Sequence, residues 1–187
     1  MRIPQSKQPK QHDANRKQDG FTMIEAVVVM SILLMGLLAM TSTSVTVHAL
    51  RESDRERRLA NSALDSIIED VKGIANAQVG TDPTWSQNFA NAYAIGGTPG
   101  PLYPVNGLQP RDGEPSVVSV TITTDETLTD QELGVNLGMP RDLDNDGLID
   151  NADVTATATI MPVIVRVRWN GSSGNRELVQ GFYVLGF

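Results

Sequence analysis

Lys17-Gln18-Asp19-Gly20-Phe21-Thr22-Met23-Ile24-Glu25 joins two unlike kinds of sequence. Before it runs a short basic leader that ends at Gly20. After it, from Phe21 to Met40, the chain is predominantly apolar and carries one charge, Glu25. Twenty helical residues rise about 30 Å, the hydrocarbon thickness of a bilayer. A carboxylate inside such a segment costs about 2–4 kcal/mol on insertion scales, so a chain that keeps one has a use for it. A new N-terminal amine created at Phe21 would give Glu25 a cation to pair with. The uncharged sequence continues through Thr41-Ser42-Thr43-Ser44-Val45 to Leu50. Gly36 lies inside it, at a cost of about 1 kcal/mol relative to alanine in a helix interior. Two readings of Gly36 fit equally: a place where the helix loosens with the Ser/Thr tract behind it, or a close-packing position.

Past Leu50 the pattern becomes charged and periodic. Leu59, Ala63, Ile67, Val71 and Ile74 recur at intervals of three or four, with Ala60, Leu64, Ile68 and Ala75 beside them. That spacing predicts one apolar face of an amphipathic helix. The mixed-sign block Arg51 to Arg58 reads as a solvated face with i,i+4 pairs, or as a source of salt bridges between copies. Gly73 or Gly80 is expected to end the helix, and Pro83 bars much further extension.

Residues 80–115 are dense in Gly, Pro, Asn and Thr, which is loop chemistry, with Trp85, Phe89, Tyr93 and Tyr103 as a minor-core cluster. Strand signals follow at Val117–Thr123, at Val154–Ile160 and at Val163–Trp169, where Val163, Val165, Val167 and Trp169 would face the helix and Arg166 and Arg168 point outward. Asn170–Asn175 is a turn and Glu177–Leu185 the last strand. An antiparallel sheet on the second half of the helix buries both apolar faces, so the fold class is α+β. The expected organisation is a leader at 1–20, a membrane half-helix at 21–47, an amphipathic half at 48–79 and a head at 80–187.

Within the head, residues 142–153 place side-chain oxygens at loop positions 1, 3, 5, 9 and 12 through Asp142, Asp144, Asp146, Asp150 and Asp153. Gly147 falls at position 6, the Leu148 carbonyl at 7 and Ile149, an apolar tether, at 8. Hard oxygen donors at this spacing suit Ca2+, and five carboxylates so close repel one another without a cation. The spacing resembles EF-hand and dockerin-type calcium loops, with the Asp at position 12 dockerin-like. It departs from them in its flanks, because Pro140 precedes it and an alternating stretch follows at Val154. A short helix capped by Thr129, with Glu132 three residues on, is expected upstream. The alternative is an acidic solvent-exposed turn. The cation's expected job is structural, to staple the loop to the sheet.

Composition bounds the function. The chain of 187 residues holds 15 Lys+Arg against 22 Asp+Glu. The leader has five basic and two acidic residues, so the part after Gly20 has ten basic and twenty acidic, a net of −10. An acidic head argues against phosphate-backbone binding, and no nucleic-acid partner is expected. The chain has no cysteine. The two histidines, His12 and His48, lie in the leader and beside the apolar run. With no glycine-rich phosphate loop and no Ser/His/Asp arrangement, no enzyme is expected. Five basic residues in the leader against Arg51, Arg55, Arg57 and Arg58 beyond the span give only a weak charge preference for orientation.

Gly20-Phe21-Thr22-Met23-Ile24-Glu25 followed by Ala26-Val27-Val28-Val29-Met30 resembles the class III signal of type IV prepilins and type II secretion pseudopilins. The likeness is close over residues 17–45 and looser through the helix to about residue 79. It implies a leader held in the cytoplasm, cleavage between Gly20 and Phe21 by a membrane prepilin peptidase, and N-methylation of Phe21. It assigns to Glu25 the neutralisation of a neighbouring subunit's N-terminal amine. The implied partners are that peptidase, other pilin or pseudopilin subunits and an inner-membrane assembly platform. The implied place is the bacterial inner membrane with a periplasmic head, then a pilus or pseudopilus. Ile32–Ala39 looks more like minor pilins than the main one. Many pilins close a C-terminal loop with a disulfide, which this cysteine-free chain lacks. Other readings are an ordinary secretory signal cut near Val47-His48-Ala49, a plain single-span anchor, and a non-polymerising, membrane-anchored, calcium-stabilised adhesin or binding module.

Overall fold

The computed structural model describes residues 22–78 and 84–186, so Gly20, Phe21, Gly80 and Pro83 lie outside the described residues. Two compact units are present, the first ending at Val45 and the second beginning at Thr46. Helix α1, Met23–Ala77, contributes to both. Thr22 starts it, its Oγ1 accepting from the Glu25 backbone N–H at 3.3 Å and its carbonyl from Ala26 at 3.1 Å. Gly73 does not stop the helix, because helical dihedrals are open to glycine and no neighbour within 4 Å crowds the position.

In the second unit α1 buries Ala60, Leu64, Ile67, Val71 and Ala75, while Leu59, Ile68 and Ile74 flank them half-buried. The seam lies about one residue round from the expected one, since the sheet takes its centre from the row that includes the two alanines. Transfer of Leu64, Ile67 and Val71 from water is worth about 5–9 kcal/mol together. Exposed pairs at i,i+3 flank the buried row, Arg55 with Glu52 at 3.4 Å and Lys72 with Glu69 at 3.3 Å, in place of the expected i,i+4 spacing. Each such pair contributes little.

Helix α2, Trp85–Ala92, occupies ground that the composition assigned to loop. Thr84 caps it, accepting from the Gln87 N–H at 3.3 Å. Trp85, Phe89 and Tyr93 recur every four residues and form one buried face. Trp85 stacks on Phe89 at 5.7 Å between centroids, and Phe89 meets Tyr93 edge-on at 5.4 Å. The Trp85 indole N–H donates to the Ala75 carbonyl at 2.8 Å, satisfying a carbonyl in the last turn of α1.

Four antiparallel strands follow in spatial order: β1 (Leu102–Tyr103), β2 (Val118–Ile122), β3 (Ile160–Gly171) and β4 (Gly174–Leu185). The β3–β4 hairpin pairs Gly171 with Gly174 around Ser172-Ser173, and Gly174 has φ +99°, a region few L side chains enter. Val163, Val165, Val167 and Trp169 are buried, as their alternation predicts. Phe182, cross-strand partner of Val163, lies beneath Lys72 of α1 at 5.9 Å, which identifies the odd-numbered face as the one toward the helix. Glu56 of α1 ties down the hairpin tip, accepting from the Ser172 N–H at 2.8 Å and the Trp169 indole at 3.4 Å.

The other face of β3 is covered as well. Ile164 is buried, and its partner Gly181 lies under Leu137 and Val135: a Cβ there would meet Leu137 Cδ2 at 2.8 Å. Arg166 donates to the Leu133 carbonyl, so it is covered and not outward. Arg168 bridges Glu114 at 2.9 Å and Glu177 at 3.1 Å. The covering layer is the long connection between β2 and β3. It holds α3, Asp130–Leu133, with the expected capping box of Thr129 and Glu132 and with Gly134 closing it at φ 66°. Residues 154–159, expected to be strand, are a turn in which the Ala158 N–H returns to the Val154 carbonyl at 2.8 Å. The strand begins only at Ile160.

Candidate functional site

Two regions combine unusual chemistry with unusual exposure. The first is the apolar half of α1. Ile24, Leu34 and Leu38 are 78%, 63% and 68% exposed, and the helix carries a membrane-length window of mean hydropathy 2.4, none of it buried. A face this apolar exceeds the patches that soluble monomers leave bare. The hydroxyls in it are satisfied locally: Ser31 donates to the Val27 carbonyl at 2.8 Å, Thr41 to Leu38 at 2.9 Å, and Ser42 and Thr43 both to Ala39 at 2.9 Å. Back-bonding of this kind lets a polar tract enter a low-dielectric environment without orphaned donors.

Glu25 sits in the first turn of α1, where the helix N-terminus favours a negative charge. That effect is typically about 0.3–1 kcal/mol, well under the cost of a carboxylate in hydrocarbon. The helix N-terminus alone therefore does not offset the cost of this charge in hydrocarbon. The junction residues Gly20 and Phe21 lie outside the described residues.

The second region is the acidic loop. Asp142 accepts from the Asn145 N–H through Oδ1 at 2.6 Å and from the Gly147 N–H through Oδ2 at 2.9 Å. Asp144 Oδ1 accepts from Asp146 at 3.2 Å, and Asp146 Oδ1 from Leu148 at 2.8 Å. This winds the chain tightly around its own carboxylates, with Asn145 at φ 65° and Gly147 at φ 92° supplying left-handed residues that the turn requires. Thr157 anchors the far side, donating to Asp144 Oδ2 at 3.0 Å. Asp153 takes both the hydroxyl and the N–H of Thr155, the hydroxyl first in effect, and these hold its carboxyl below the ordinary aspartate range. Ile149, expected as a tether, is 49% exposed and does not act as one.

Carboxylate oxygens of Glu126, Asp142 and Asp144 lie within 4.8 Å of one another. At an effective dielectric of about 20, two unit charges at that distance repel by about 3.5 kcal/mol. Of the sequence-predicted set, the structure brings Asp142 and Asp144 together; Asp146, Leu148, Asp150 and Asp153 stand outside this group of three. Glu126 was not foreseen. It lies 16 residues before Asp142 in the chain, and no spacing rule reaches across α3 to find it. Hard oxygen donors in a partly buried pocket suit a divalent cation such as Ca2+.

Upstream, Asp130 gathers the N–H groups of Leu137, Gly138 and Met139, each at 2.9 Å. The Met139 bond most, then that of Leu137, holds its carboxyl below the ordinary range. The backbone and then the side chain of Thr129 do the same for Glu132. These carboxylates are committed to the backbone and shape the covering layer.

Compared with known proteins, the chain matches one family, described as the prokaryotic N-terminal methylation motif, over residues 15–41. No curated protein and no solved structure matches it significantly. The motif and the membrane-length apolar helix together support a type IV pilin-like or pseudopilin-like family and a structural role, and are consistent with a non-enzymatic protein. They are consistent also with a single membrane span and with prepilin peptidase and other pilin subunits as partners.

Proposed function

We propose that this chain is a structural subunit, minor pilin or pseudopilin, of a type IV pilus or a type II secretion pseudopilus. Prepilin peptidase removes residues 1–20 between Gly20 and Phe21, and Phe21 is N-methylated. Residues 21–47 hold the subunit in the inner membrane, with the leader cytoplasmic and the head periplasmic, until the assembly platform draws it into a filament of packed helices. Glu25 then pairs with the N-terminal amine of a neighbouring subunit. The observation that carries this reading is the coincidence of the methylation motif at 15–41 with a bare apolar half-helix whose one charge is Glu25.

The loop of Asp142, Asp144, Asp146, the Leu148 carbonyl, Asp150 and Asp153 binds Ca2+ as a structural ion in the cysteine-free head. What supports it is the chain wound round Asp142 and the convergence of the Asp142 and Asp144 carboxylates with that of Glu126. Mass spectrometry of the mature protein tests the main reading. The expected N-terminus is a methylated Phe21; an intact Met1, or a start near Leu50, refutes it.

A further inference from the structure

We propose that Glu126, which lies outside the acidic loop, is the interior ligand of a divalent-cation site shared with Asp142 and Asp144, and that the cation locks the layer covering the sheet. The inference rests on the calcium reading of the loop and extends it to a residue that loop spacing does not include.

Glu126 is fully buried, at 0% exposure. Its Oε1 is satisfied, accepting from the Leu143 N–H at 2.6 Å and the Asp144 N–H at 3.3 Å. Its Oε2 is buried with no hydrogen-bond partner. A buried carboxylate oxygen without a donor is costly, and burial of such a group is tolerated when a cation or a donor meets it. Among the described residues no basic side chain bonds it. Arg141 gives Glu126 only its backbone N–H, while its guanidinium lies over the Tyr183 ring at 5.1 Å. The groups that do stand near are two more carboxylates, Asp142 and Asp144, both half-buried. Three acids converging on one point, one of them wholly buried and half-satisfied, match a divalent cation with oxygen ligands.

The position of Glu126 gives the cation a mechanical role. Its N–H donates to Asn151 at 3.1 Å and its carbonyl accepts from Arg141 at 3.2 Å, while Val154 reaches back to Thr124 at 2.8 Å. Three stretches of the β2–β3 connection thus meet at this residue. Leu143, 0% exposed, lies between them and its carbonyl receives both Thr159 at 2.8 Å and Ile160 at 3.1 Å as β3 begins. A cation held by Glu126, Asp142 and Asp144 therefore joins the end of β2 to the start of β3, and fixes the layer that places Leu137 and Val135 over Gly181.

Glu126→Gln isolates the claim. Glutamine keeps an oxygen for the Leu143 and Asp144 N–H groups and replaces the orphan oxygen with an amide that donates to the neighbouring carboxylates. Calcium binding by titration calorimetry and melting are measured on the full chain in detergent, for wild type, E126Q and D142N, in calcium and in EGTA. The expected result is calcium binding by wild type, affinity reduced at least about tenfold in both variants, and E126Q melting lower than wild type in calcium but as high or higher in EGTA. Absence of binding by wild type overturns the loop reading itself. Undiminished binding by E126Q with weakened binding by D142N leaves the loop reading and overturns the role of Glu126. Equal destabilisation of E126Q in both buffers makes Glu126 a packing residue and overturns it too. Should E126Q not fold, hydrogen exchange on wild type decides: calcium must slow exchange at Leu143 and Asp144, whose N–H groups Glu126 holds, as well as at Gly147 and Leu148. Protection confined to the latter pair refutes the proposal.

Discussion

Replacing Phe89 by alanine probes the aromatic face of α2 at its centre. Phe89 is 0% exposed and is sandwiched between Trp85, 5.7 Å away with planes 6° apart, and Tyr93, 5.4 Å away at 62°. Phe→Ala in a packed core costs about 3–5 kcal/mol. Each ring pair adds about 0.5–1.5 kcal/mol beyond area burial, partly included in that range. The expected loss is about 4 kcal/mol, since Trp85 is held by its bond to Ala75 and cannot easily collapse into the gap. For a unit of this size about 3–4 °C is lost per kcal/mol, so the melting temperature should fall about 12–16 °C. Thermal and guanidinium unfolding of the full chain in detergent, followed by tryptophan fluorescence, reads it. Ile95→Ala, at a site 96% exposed, is the control and should stay within about 0.5 kcal/mol. A loss under about 1 kcal/mol for Phe89→Ala, matching that control, would show that α2 is not part of the core.

Glu56→Ala should cost about 1–2 kcal/mol in the same unfolding assay by leaving the buried Trp169 indole without its acceptor; Glu56→Gln should cost distinctly less, and equal effects would dissociate Glu56 from the hairpin. Acid should weaken the head through Asp130 and Glu132: their folded values lie below the ordinary 3.8 and 4.5, so their contribution is complete above those values and lost as pH falls through the lower folded ones. Asp130→Asn should flatten the stability curve below about pH 4, and an unchanged acid limb would refute the assignment. Glu25→Ala should leave cleavage at Gly20 intact by mass spectrometry while abolishing recovery of the subunit in sheared filaments; normal recovery would refute pairing through this carboxylate.

The parts of the fold that declare themselves in sequence are those whose local pattern and tertiary role agree. The burial of Val163, Val165, Val167 and Trp169 is legible from their alternation, and a turn was expected at Asn170–Asn175; strand pairing narrows it to Ser172-Ser173, so that β4 starts at Gly174 and not at Glu177. The capping box at Thr129 is a local device and was readable as one. Helix α2 was hidden because it is short, set among loop residues, and helical chiefly by virtue of its buried aromatic face. The Thr/Ala alternation of 154–159 mimics a strand, but its N–H groups have better partners in the turn and in Thr124. In the acidic loop the positions of Asp142, Asp144 and Gly147 were legible from spacing. Glu126 was not, since only the chain's return around α3 brings it there.

One consequence follows from how the apolar half of α1 treats its polar atoms. Ser31, Thr41, Ser42 and Thr43 turn their hydroxyls inward onto their own turns. A helix packed alongside would meet apolar ridges and grooves along this surface and a charge only at the height of Glu25. A displacement of one turn, about 5.4 Å, would break direct contact between this carboxylate and a partner cation and weaken their attraction. In a filament of the kind proposed, Glu25 would work like the index mark on a ruler, favouring one axial setting between neighbouring helices.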